Sequence, residues 1–410
     1  MTAITRTAPV TTSAQRVFVA RQAIFDRALR VHAYELLYRE GLDGAAPPSC
    51  GEQASSRVIL NSFTEIGLER IAGNRQVFIN LTRSFFIDHP PIPFERERVV
   101  LEILEDVAVD RAMVEAVSAL RRDGYRLALD DYEFGRAAQW EPLLPHVEVV
   151  KVEVPGIRWE RLEQDLEPLR RHPVRLLAEK VETREQYRRL EELGFELFQG
   201  YYFSHPQVVS GRRLSENRQI MLQLLARLND PAVTVDDLEQ LIAHDPGLSF
   251  KILRCLNSAA IGLPRTIDSI GQAVVYLGLE RLRAWASLAV LSGIEEKPEE
   301  LFITALVRAH LCARLAGGET AFTAGLLSVL DRLMDLPMAR VIGQLPLSTP
   351  LQQALLHHHG PVGQALACAS AIEEQRWDEI RFPGMTTEEL QDAYLTSSEL
   401  AFQEFAALVG

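Results

Sequence analysis

The fold is decided between Val99 and Asp131, where the sequence reads VVLEILEDVAVDRAMVEAVSALRRDGYRLALDD. A β-type apolar run at Val99–Leu104 is followed by a helix-type segment at Asp110–Arg122 and by a second β-type run at Arg126–Asp131. A helix between two such runs is typical of a parallel sheet, because parallel strands need a long crossover connection. This stretch therefore predicts an α/β architecture.

The same alternation extends in both directions along the chain, and helix-type spacing recurs at Gly156–Arg171 and Thr183–Leu193. Eight β-type runs predict a closed barrel of the TIM type. The segment Asp26–Arg30 is too short for a crossover helix, so we predict that the first two strands form an antiparallel hairpin. The eight runs are Val17–Ile24, His32–Tyr38, Gln76–Leu81, Val99–Leu104, Arg126–Asp131, Val147–Val154, Val174–Lys180 and Glu196–Phe203.

After Pro206 the β-type runs nearly vanish and apolar residues recur at every third or fourth position, which predicts an all-α second half. Thr234 with Asp237 resembles a capping box, and Asp245-Pro246 predicts another helix start. Ser292–Glu300 is interpreted as a surface loop between two helical groups. We therefore predict a flexible N-terminus at residues 1–16, a barrel domain at 17–208 and a helical domain at 209–410.

Composition narrows the class of protein. With 410 residues, 47% hydrophobic and 24% charged, the chain is globular rather than disordered. A net charge of −13 disfavours general nucleic-acid binding. No stretch approaches the about 18 apolar residues of a membrane span, and the start of the chain lacks a secretory signal, so we expect a cytoplasmic protein. The 4 cysteines are scattered singly, which predicts neither a disulfide framework nor a thiolate zinc site.

Polar residues interrupt the apolar runs near the carboxyl ends of the predicted strands. In a parallel barrel these ends meet at one face, where functional sites lie. Any single buried polar residue could be structural, but such residues on seven strands are difficult to explain in that way. They are Glu35 with Arg39, Asn80, Glu102 with Glu105, Asp130 with Asp131, Lys151, Glu179 and Gln199.

The carboxylate and amide oxygens in this set suit hard divalent cations, Mg²⁺ or Mn²⁺, and no soft ligand is present to recruit zinc. Two ions that share Asp130 could activate a water for attack on a phosphodiester. Lys151 would stabilise the nucleophile or the developing charge, and Arg39 would bind a substrate phosphate through two hydrogen bonds. The proposed metal ligands are Glu35, Asn80, Glu102, Asp130, Asp131 and Glu179.

On these residues the first half resembles an EAL domain, a cyclic di-GMP phosphodiesterase family with a modified TIM barrel whose first strand is antiparallel. The segment ELL at Glu35–Leu37 corresponds to the Glu-Ala-Leu signature, and the resemblance runs from about Val17 to Pro206. It implies cyclic di-GMP as ligand and catalytic roles for Glu35, Lys151 and Glu179. It also implies one metal site at Glu35, Asn80, Glu102 and Asp130, a second at Asp130, Asp131 and Glu179, and substrate contacts from Arg39 and Gln199.

Two segments depart from the family pattern. After Asp130-Asp131 the family has Phe-Gly-Thr-Gly, whereas this chain has Tyr132-Glu133-Phe134-Gly135. Lys180 stands where the family has glycine after the last metal-binding glutamate. The replacements predict lost backbone freedom, added bulk and charges near the metals. We therefore predict a degenerate EAL domain that hydrolyses cyclic di-GMP weakly or not at all.

The second half, from Leu214 to about Phe405, resembles an HDOD domain, a helical regulatory relative of HD phosphohydrolases. The segment Leu241–Leu288 carries the resemblance. Ser328-Val329 stand at the place of the superfamily's His-Asp pair, so we predict no metal cofactor in this half. His244-Asp245 and His357–His359 are interpreted as helix-end residues rather than metal ligands. The resemblance implies a signalling protein that contacts a protein partner through its HDOD half.

Three functions remain open at this point. The first is a receptor or scaffold in which the EAL half binds nucleotide without efficient hydrolysis. The second is an active metal-dependent phosphodiesterase, and the third is a structural adaptor that binds neither metal nor nucleotide. The retained acids disfavour the adaptor, because buried carboxylates are costly without cations, and the altered loop favours the receptor over the enzyme.

Overall fold

The structure is a computed structural model that describes residues 17–40, 66–88, 92, 94–200, 224–230, 232–243, 252–253, 256–257, 269–291, 298–334 and 336–409. The predicted flexible N-terminus at 1–16, the boundary between 208 and 209, and the pair His244-Asp245 lie outside these residues. Within the described part, no helix combines the length and the apolar character that crossing a membrane requires.

The first half forms a closed barrel of eight strands in chain order, as predicted. β1 and β2 pair as an antiparallel hairpin, and the strands from β2 to β8 pair in parallel. The barrel closes where β1 pairs antiparallel with β8 at two positions, Phe25 with Phe198 and Asp26 with Leu197. The strands are β1 Val17–Asp26, β2 Val31–Glu40, β3 Gln76–Leu81, β4 Val99–Ile103, β5 Arg126–Leu129, β6 Val149–Glu153, β7 Arg175–Glu179 and β8 Leu197–Phe198.

β5 and β7 end earlier than the sequence predicts, close to residues with a left-handed backbone. β5 stops before Asp130-Asp131 because Asp131 has φ 42°, and β7 stops before Lys180, which has φ 55°. Such φ values do not continue a strand ladder. Asp131 and Lys180 therefore start the loops at the carboxyl end of the barrel.

Helices pack outside the barrel. The Asp110 side chain caps one helix by accepting a hydrogen bond from the Met113 N–H, and Thr183 forms a capping box at another. The predicted helix at Gly156–Arg171 is wrong, because only its centre is α-helical; Pro168 has no N–H to continue the helix. The helices are α1 Leu68–Ala72, α2 Arg83–Asp88, α3 Arg111–Arg122, α4 Ala137–Trp140, α5 Leu162–Leu166 and α6 Arg184–Glu192.

The described part of the second half is helical, as predicted. Thr234 and Asp237 form the expected cap, in which the Asp237 N–H donates to Thr234 Oγ1 at 3.2 Å and the Thr234 N–H donates to Asp237 Oδ2 at 3.0 Å. The helices are α7 Val235–Ala243, α8 Ile270–Leu277, α9 Leu279–Leu291, α10 Glu299–Ala316, α11 Glu319–Leu327, α12 Leu330–Met334, α13 Met338–Ile342, α14 Thr349–His357, α15 Gly360–Glu373 and α16 Thr387–Val409.

The surface loop predicted at Ser292–Glu300 is wrong at its carboxyl end. Glu299 and Glu300 form the first turn of α10, with Pro298 as the preceding residue, and residues 292–297 lie outside the described part. Acidic residues favour the first turn of a helix because they interact with its dipole. A glutamate-rich segment before an apolar run is therefore as compatible with a helix start as with a loop.

The two halves contact each other along the β1–β2 hairpin, α1, α10 and α16. Ala20 of β1 lies in the same apolar cluster as the core of the helical domain. Arg70 of α1 donates to Glu399 of α16 at 3.0 Å, and Arg75 donates to Glu299 of α10 at 3.1 Å. The contact thus combines buried apolar packing with ion pairs at its rim.

Gly200 lets the chain leave β8 close to the loop after β7. It has φ 142°, and a Cβ atom there would lie 2.3 Å from the backbone N of Val181 and 2.5 Å from its O. We expect Gly200→Ala to destabilise the barrel by about 2–4 kcal/mol, measured by chemical denaturation. Gly156→Ala is the matched control, because a Cβ atom at Gly156 meets open space. Equal denaturation midpoints for the two variants would contradict this account.

Candidate functional site

A ring of polar side chains lies directly above an apolar layer inside the barrel. Each strand contributes one apolar residue to the lower layer and one polar residue two positions along the chain, on the same face of the strand. The apolar layer is Ile24, Ala33, Phe78, Val100, Ala128, Val149, Leu177 and Leu197. The polar layer in the same strand order is Gln22, Glu35, Asn80, Glu102, Asp130, Lys151, Glu179 and Gln199.

Lys151 of β6 lies at the centre of this layer, and its side chain is only 1% exposed. Its Nζ is 2.7 Å from Asp130 Oδ1 and 2.8 Å from Glu102 Oε1. It is also 3.0 Å from Glu179 Oε1 and 3.3 Å from Glu35 Oε1. A single buried ammonium thus contacts carboxylates from four other parts of the barrel wall.

Glu35 of β2 is held by amides as well as by this ammonium. Asn80 Nδ2 donates to Glu35 Oε1 at 3.1 Å, and Gln199 Nε2 donates to Glu35 Oε2 at 2.8 Å. Burial acts to raise the pKa of Glu35, but attraction to Lys151 and these hydrogen bonds outweigh it and lower the pKa below its usual value. The surroundings of Glu35 therefore favour its ionised form.

The other acids around Lys151 respond differently. Burial raises the pKa of Glu102 well above its usual value despite attraction to Lys151, and the nearby charges of Glu35 and Asp130 raise it further. Burial raises the pKa of Glu179 to about 8, again against the attraction of Lys151. Burial opposes the charge of Lys151 too, but the surrounding carboxylates outweigh it and raise the pKa of the ammonium well above its usual value.

A second group of acids adjoins this cluster. One carboxylate oxygen from each of Glu105, Asp130 and Asp131 lies within 4.8 Å of the other two. Burial raises the pKa of Asp131, and the charges of Asp130 and Glu105 raise it further. Glu105 follows β4 in the segment LEILED, so its place at a strand end was visible in the sequence, although no metal site was predicted for it.

Gln22 is a member of the polar layer that the sequence analysis did not single out. It lies directly opposite Glu35 in the β1–β2 register, and directly opposite residues share one face of an antiparallel pair. Because β1 runs against the other strands, its polar residue precedes the apolar Ile24 instead of following it. A search for polar residues after apolar runs therefore passes over it.

The polar layer has the chemistry of a site for hard divalent cations. Asn80 Oδ1, Glu102 Oε2 and Glu179 Oε2 are buried and have no hydrogen-bond partner among the described residues. Buried polar atoms are normally paired, so three such oxygens in one place call for an electrophilic partner. Carboxylate and amide oxygens are the ligands that Mg²⁺ and Mn²⁺ prefer.

The altered loop after Asp131 does not carry the strain that its sequence suggests. Glu133 has φ −95°, which any residue adopts, and its side chain is exposed. The ring of Phe134 packs edge to face on the buried ring of Tyr132, with centroids 5.6 Å apart. In this conformation Glu133 therefore occupies backbone angles that do not require glycine.

Lys180 is turned towards Glu153, the last residue of β6, and forms an ion pair with it. The Lys180 side chain is 60% exposed, in contrast to the buried Lys151. A cavity of about 320 Å³ between the barrel and the helical domain is lined by Lys180 and Gly200 together with Glu300 and Arg332. The ammonium of Lys180 thus lies at the rim of the barrel rather than within the carboxylate layer.

Two residues from the sequence analysis remain, Arg39 in the barrel and Ser328 in the helical domain. Arg39 lies in β2 opposite Phe18, and its side chain is outside the described part of the structure. In the helical domain, Arg308 donates to Ser328 Oγ at 3.2 Å and forms a bidentate ion pair with Glu373. A buried guanidinium therefore contacts the hydroxyl at the place of the superfamily's His-Asp pair.

The three histidines mark a helix end, as predicted. α14 ends at His357, His358 is left-handed with φ 53°, and His359 precedes α15.

Comparison with known proteins finds two domain families along the chain. The EAL domain family matches residues 71–206, and the HDOD domain family matches residues 214–342. The chain is 33% identical over 401 residues to the uncharacterized protein YuxH of Bacillus subtilis, covering 94% of this chain and 98% of YuxH. It is 35% identical over 374 residues to the cyclic di-GMP phosphodiesterase CdgJ of Vibrio cholerae, covering 88% of this chain and 85% of CdgJ. The chain belongs to the EAL–HDOD family.

Solved structures are also similar to part of this EAL–HDOD protein. One is BlrP1 of Klebsiella pneumoniae in a complex with calcium and cyclic di-GMP, with 23% identity and a TM-score of 0.38, covering 48% of this chain and 57% of that chain. The EAL family match covers residues 71–206 and therefore includes neither Glu35 nor Arg39. Glu35 lies in the polar layer because β2, which carries it, is a strand of the closed barrel.

The raised pKa of Glu179 makes the stability of the metal-free protein depend on pH. Between its usual value of 4.5 and about 8, the folded protein holds a proton on Glu179 that the unfolded chain has released. The free energy that the Glu179 carboxyl contributes to the folded state is therefore fully present below about pH 4.5. It is lost as the pH rises to about 8.

We expect Glu179→Gln to make the loss of stability between pH 4.5 and 8 shallower, by up to about 1 kcal/mol per pH unit. The measurement is chemical denaturation with chelator across this range. Glu192→Gln, on the exposed face of α6, is the matched control. A slope unchanged by Glu179→Gln would show that this carboxyl does not titrate in the window.

Proposed function

We propose that this EAL–HDOD protein is a divalent-metal-dependent phosphodiesterase that hydrolyses cyclic di-GMP. The observation that carries the proposal is the buried Lys151 ammonium among Glu35, Glu102, Asp130 and Glu179, beside the acid group that contains Asp131. The relative CdgJ, 35% identical, is named a cyclic di-GMP phosphodiesterase, which supports the same substrate.

Mg²⁺ or Mn²⁺ would be held in two adjoining places. Glu35, Asn80, Glu102 and Asp130 would hold one ion, and Asp130, Asp131 and Glu179 a second, with Glu105 as an added carboxylate. Bound metal supplies a lowered pKa for an attacking water and stabilises charge on the phosphate oxygens. Burial raises the pKa of Glu102 and Glu179, and a bound metal ion would favour their ionised forms.

The protein's own groups then have separate tasks. Lys151, which stays protonated, would orient the attacking water and stabilise negative charge as it develops on the phosphate. Gln199 and Asn80 fix the orientation of Glu35 through its two oxygens. Arg39 would bind a phosphate oxygen of the substrate. The buried apolar layer beneath keeps water away from the lower side of the site.

The geometry favours hydrolysis over a binding-only receptor. The receptor reading rests on the altered loop and on Lys180, yet Glu133 is exposed and unstrained and Phe134 packs on Tyr132. Lys180 pairs with Glu153, so its charge is compensated outside the carboxylate layer. Both departures thus have local accommodations that leave the polar layer in place.

We also propose that the helical half takes no catalytic metal and contacts a protein partner. Arg308 carries a positive charge at Ser328, paired by Glu373, and a cation at this place opposes metal binding by repulsion. Metal analysis of the full chain should therefore find metal whose retention depends on the barrel acids alone.

The test is incubation of the full chain with cyclic di-GMP and Mn²⁺ or Mg²⁺, following nucleotide binding and the linear dinucleotide product together. We expect turnover of about 1 per second or more for the wild type. Glu35→Gln should lower turnover at least about 100-fold by weakening a metal site, and Arg39→Ala should weaken nucleotide binding roughly 10- to 100-fold.

Glu192→Gln again serves as the control and should match the wild type. Binding without product would favour the receptor, and the absence of both binding and product would favour the adaptor.

A loop exchange tests the departures directly. Because Glu133 is exposed and unstrained, we expect Glu133→Gly with Phe134→Thr to change turnover less than about threefold. The lost edge-to-face contact with Tyr132 should cost about 0.5–1.5 kcal/mol of stability. A tenfold or larger rise in product formation would instead show that this loop limits catalysis.

A further inference from the structure

The helical domain supports the barrel strand that carries Glu35. Among the described residues, β1 pairs with β8 at Phe25 and Asp26, next to the turn of the hairpin, whereas Gln22 lies opposite Glu35 further from that turn. At that level the hairpin packs against the helical domain, with Ala20 inside that domain's apolar core.

Arg21 of β1 is the buried centre of this contact. Its Nη1 donates to the carbonyl of Ile71 at 2.7 Å, and its Nη2 lies 3.7 Å from Glu300 Oε1. The guanidinium also lies over the rings of Tyr34 and Phe402, 4.5 and 4.3 Å from their centroids. Arg21 therefore joins both hairpin strands to α10 and α16 by charge and by cation–π contact.

Tyr34 of β2 completes the link. Its hydroxyl donates to Glu300 Oε2 at 2.5 Å, and its ring meets Phe402 edge to face with centroids 5.9 Å apart. Successive strand residues point to opposite faces, so Tyr34 faces the helical domain while Glu35 faces the barrel interior. The backbone that places Glu35 is thus held from outside by Glu300 and from inside by Asn80 and Gln199.

We propose that the helical domain is part of the catalytic site, in which Tyr34 and Glu300 are positioning residues that set the place of Glu35 for metal binding. The inference rests on the proposed function, because it assumes that Glu35 is a metal ligand. A ligand displaced by a few tenths of an ångström weakens metal binding, and residues that orient ligands typically contribute 10- to 100-fold in affinity.

Two conservative substitutions are enough to test the contact between the β1–β2 hairpin and the helical domain. Removing the charge of Arg21 would leave the half-buried Glu300 without its ion-pair partner on β1 and threaten folding. Tyr34→Phe removes one hydroxyl and keeps the ring between Arg21 and Phe402, and Glu300→Gln keeps the shape of the side chain. The chain also offers a matched control, since Glu299→Gln removes the neighbouring, more exposed pair with Arg75.

The experiment measures Mn²⁺ affinity of the full chain by calorimetry, well below the melting temperature, and denaturation midpoints alongside. We expect Tyr34→Phe and Glu300→Gln each to weaken Mn²⁺ binding about 3- to 10-fold. The double variant should weaken Mn²⁺ binding no more than the more affected single variant does, because both substitutions act on the same contact between Tyr34 and Glu300. Glu299→Gln should stay within twofold of the wild type.

A purely structural contact would lower the denaturation midpoint and leave Mn²⁺ affinity unchanged, and that result would overturn the inference. Glu35→Gln separates this failure from failure of the proposed function. If Glu35→Gln abolishes Mn²⁺ binding while Tyr34→Phe and Glu300→Gln match the wild type, only the inference fails. If the wild type itself binds no Mn²⁺, both fail.

Discussion

The structure depends on one buried ammonium, that of Lys151, which contacts the carboxyl groups of Glu35, Glu102, Asp130 and Glu179. Burial raises the pKa values of Glu102 and Glu179 despite the attraction of Lys151, and the neighbouring carboxylates raise them further, because one positive charge does not balance four acids. Divalent cations would supply the missing charge. The closed barrel is what holds these groups together against their mutual repulsion, on a layer of apolar side chains.

The placement of Glu35 in this polar layer also involves both domains. Glu35 enters the polar layer from the β1–β2 hairpin, and the helical domain packs on that hairpin through Arg21, Tyr34 and Glu300. The departures from the EAL pattern are accommodated nearby, with Lys180 paired to Glu153 at the rim. The helical half is therefore better described as a support of the site than as an appended module.

Much of the fold follows from local pattern. The eight strands, the initial hairpin and the helical second half were predictable because strand and helix periodicities differ and short connections exclude crossovers. Two predictions failed where local pattern is ambiguous. Pro168 interrupts the helix expected at Gly156–Arg171, and the acidic residues Glu299 and Glu300 begin α10 rather than end a loop.

The sequence by itself determined the polar layer except for Gln22, because each of its other members follows an apolar residue of the layer below by two positions and alternation places both on one face. Only the tertiary structure decided which groups meet: Lys151 with its four acids, Gln22 opposite Glu35, and Tyr34 with Glu300 across 266 positions of sequence. Such pairs depend on strand direction, barrel closure and domain packing. Local periodicity does not predict these pairs, because each residue fits the apolar and polar pattern of its own strand or helix whichever partner it contacts.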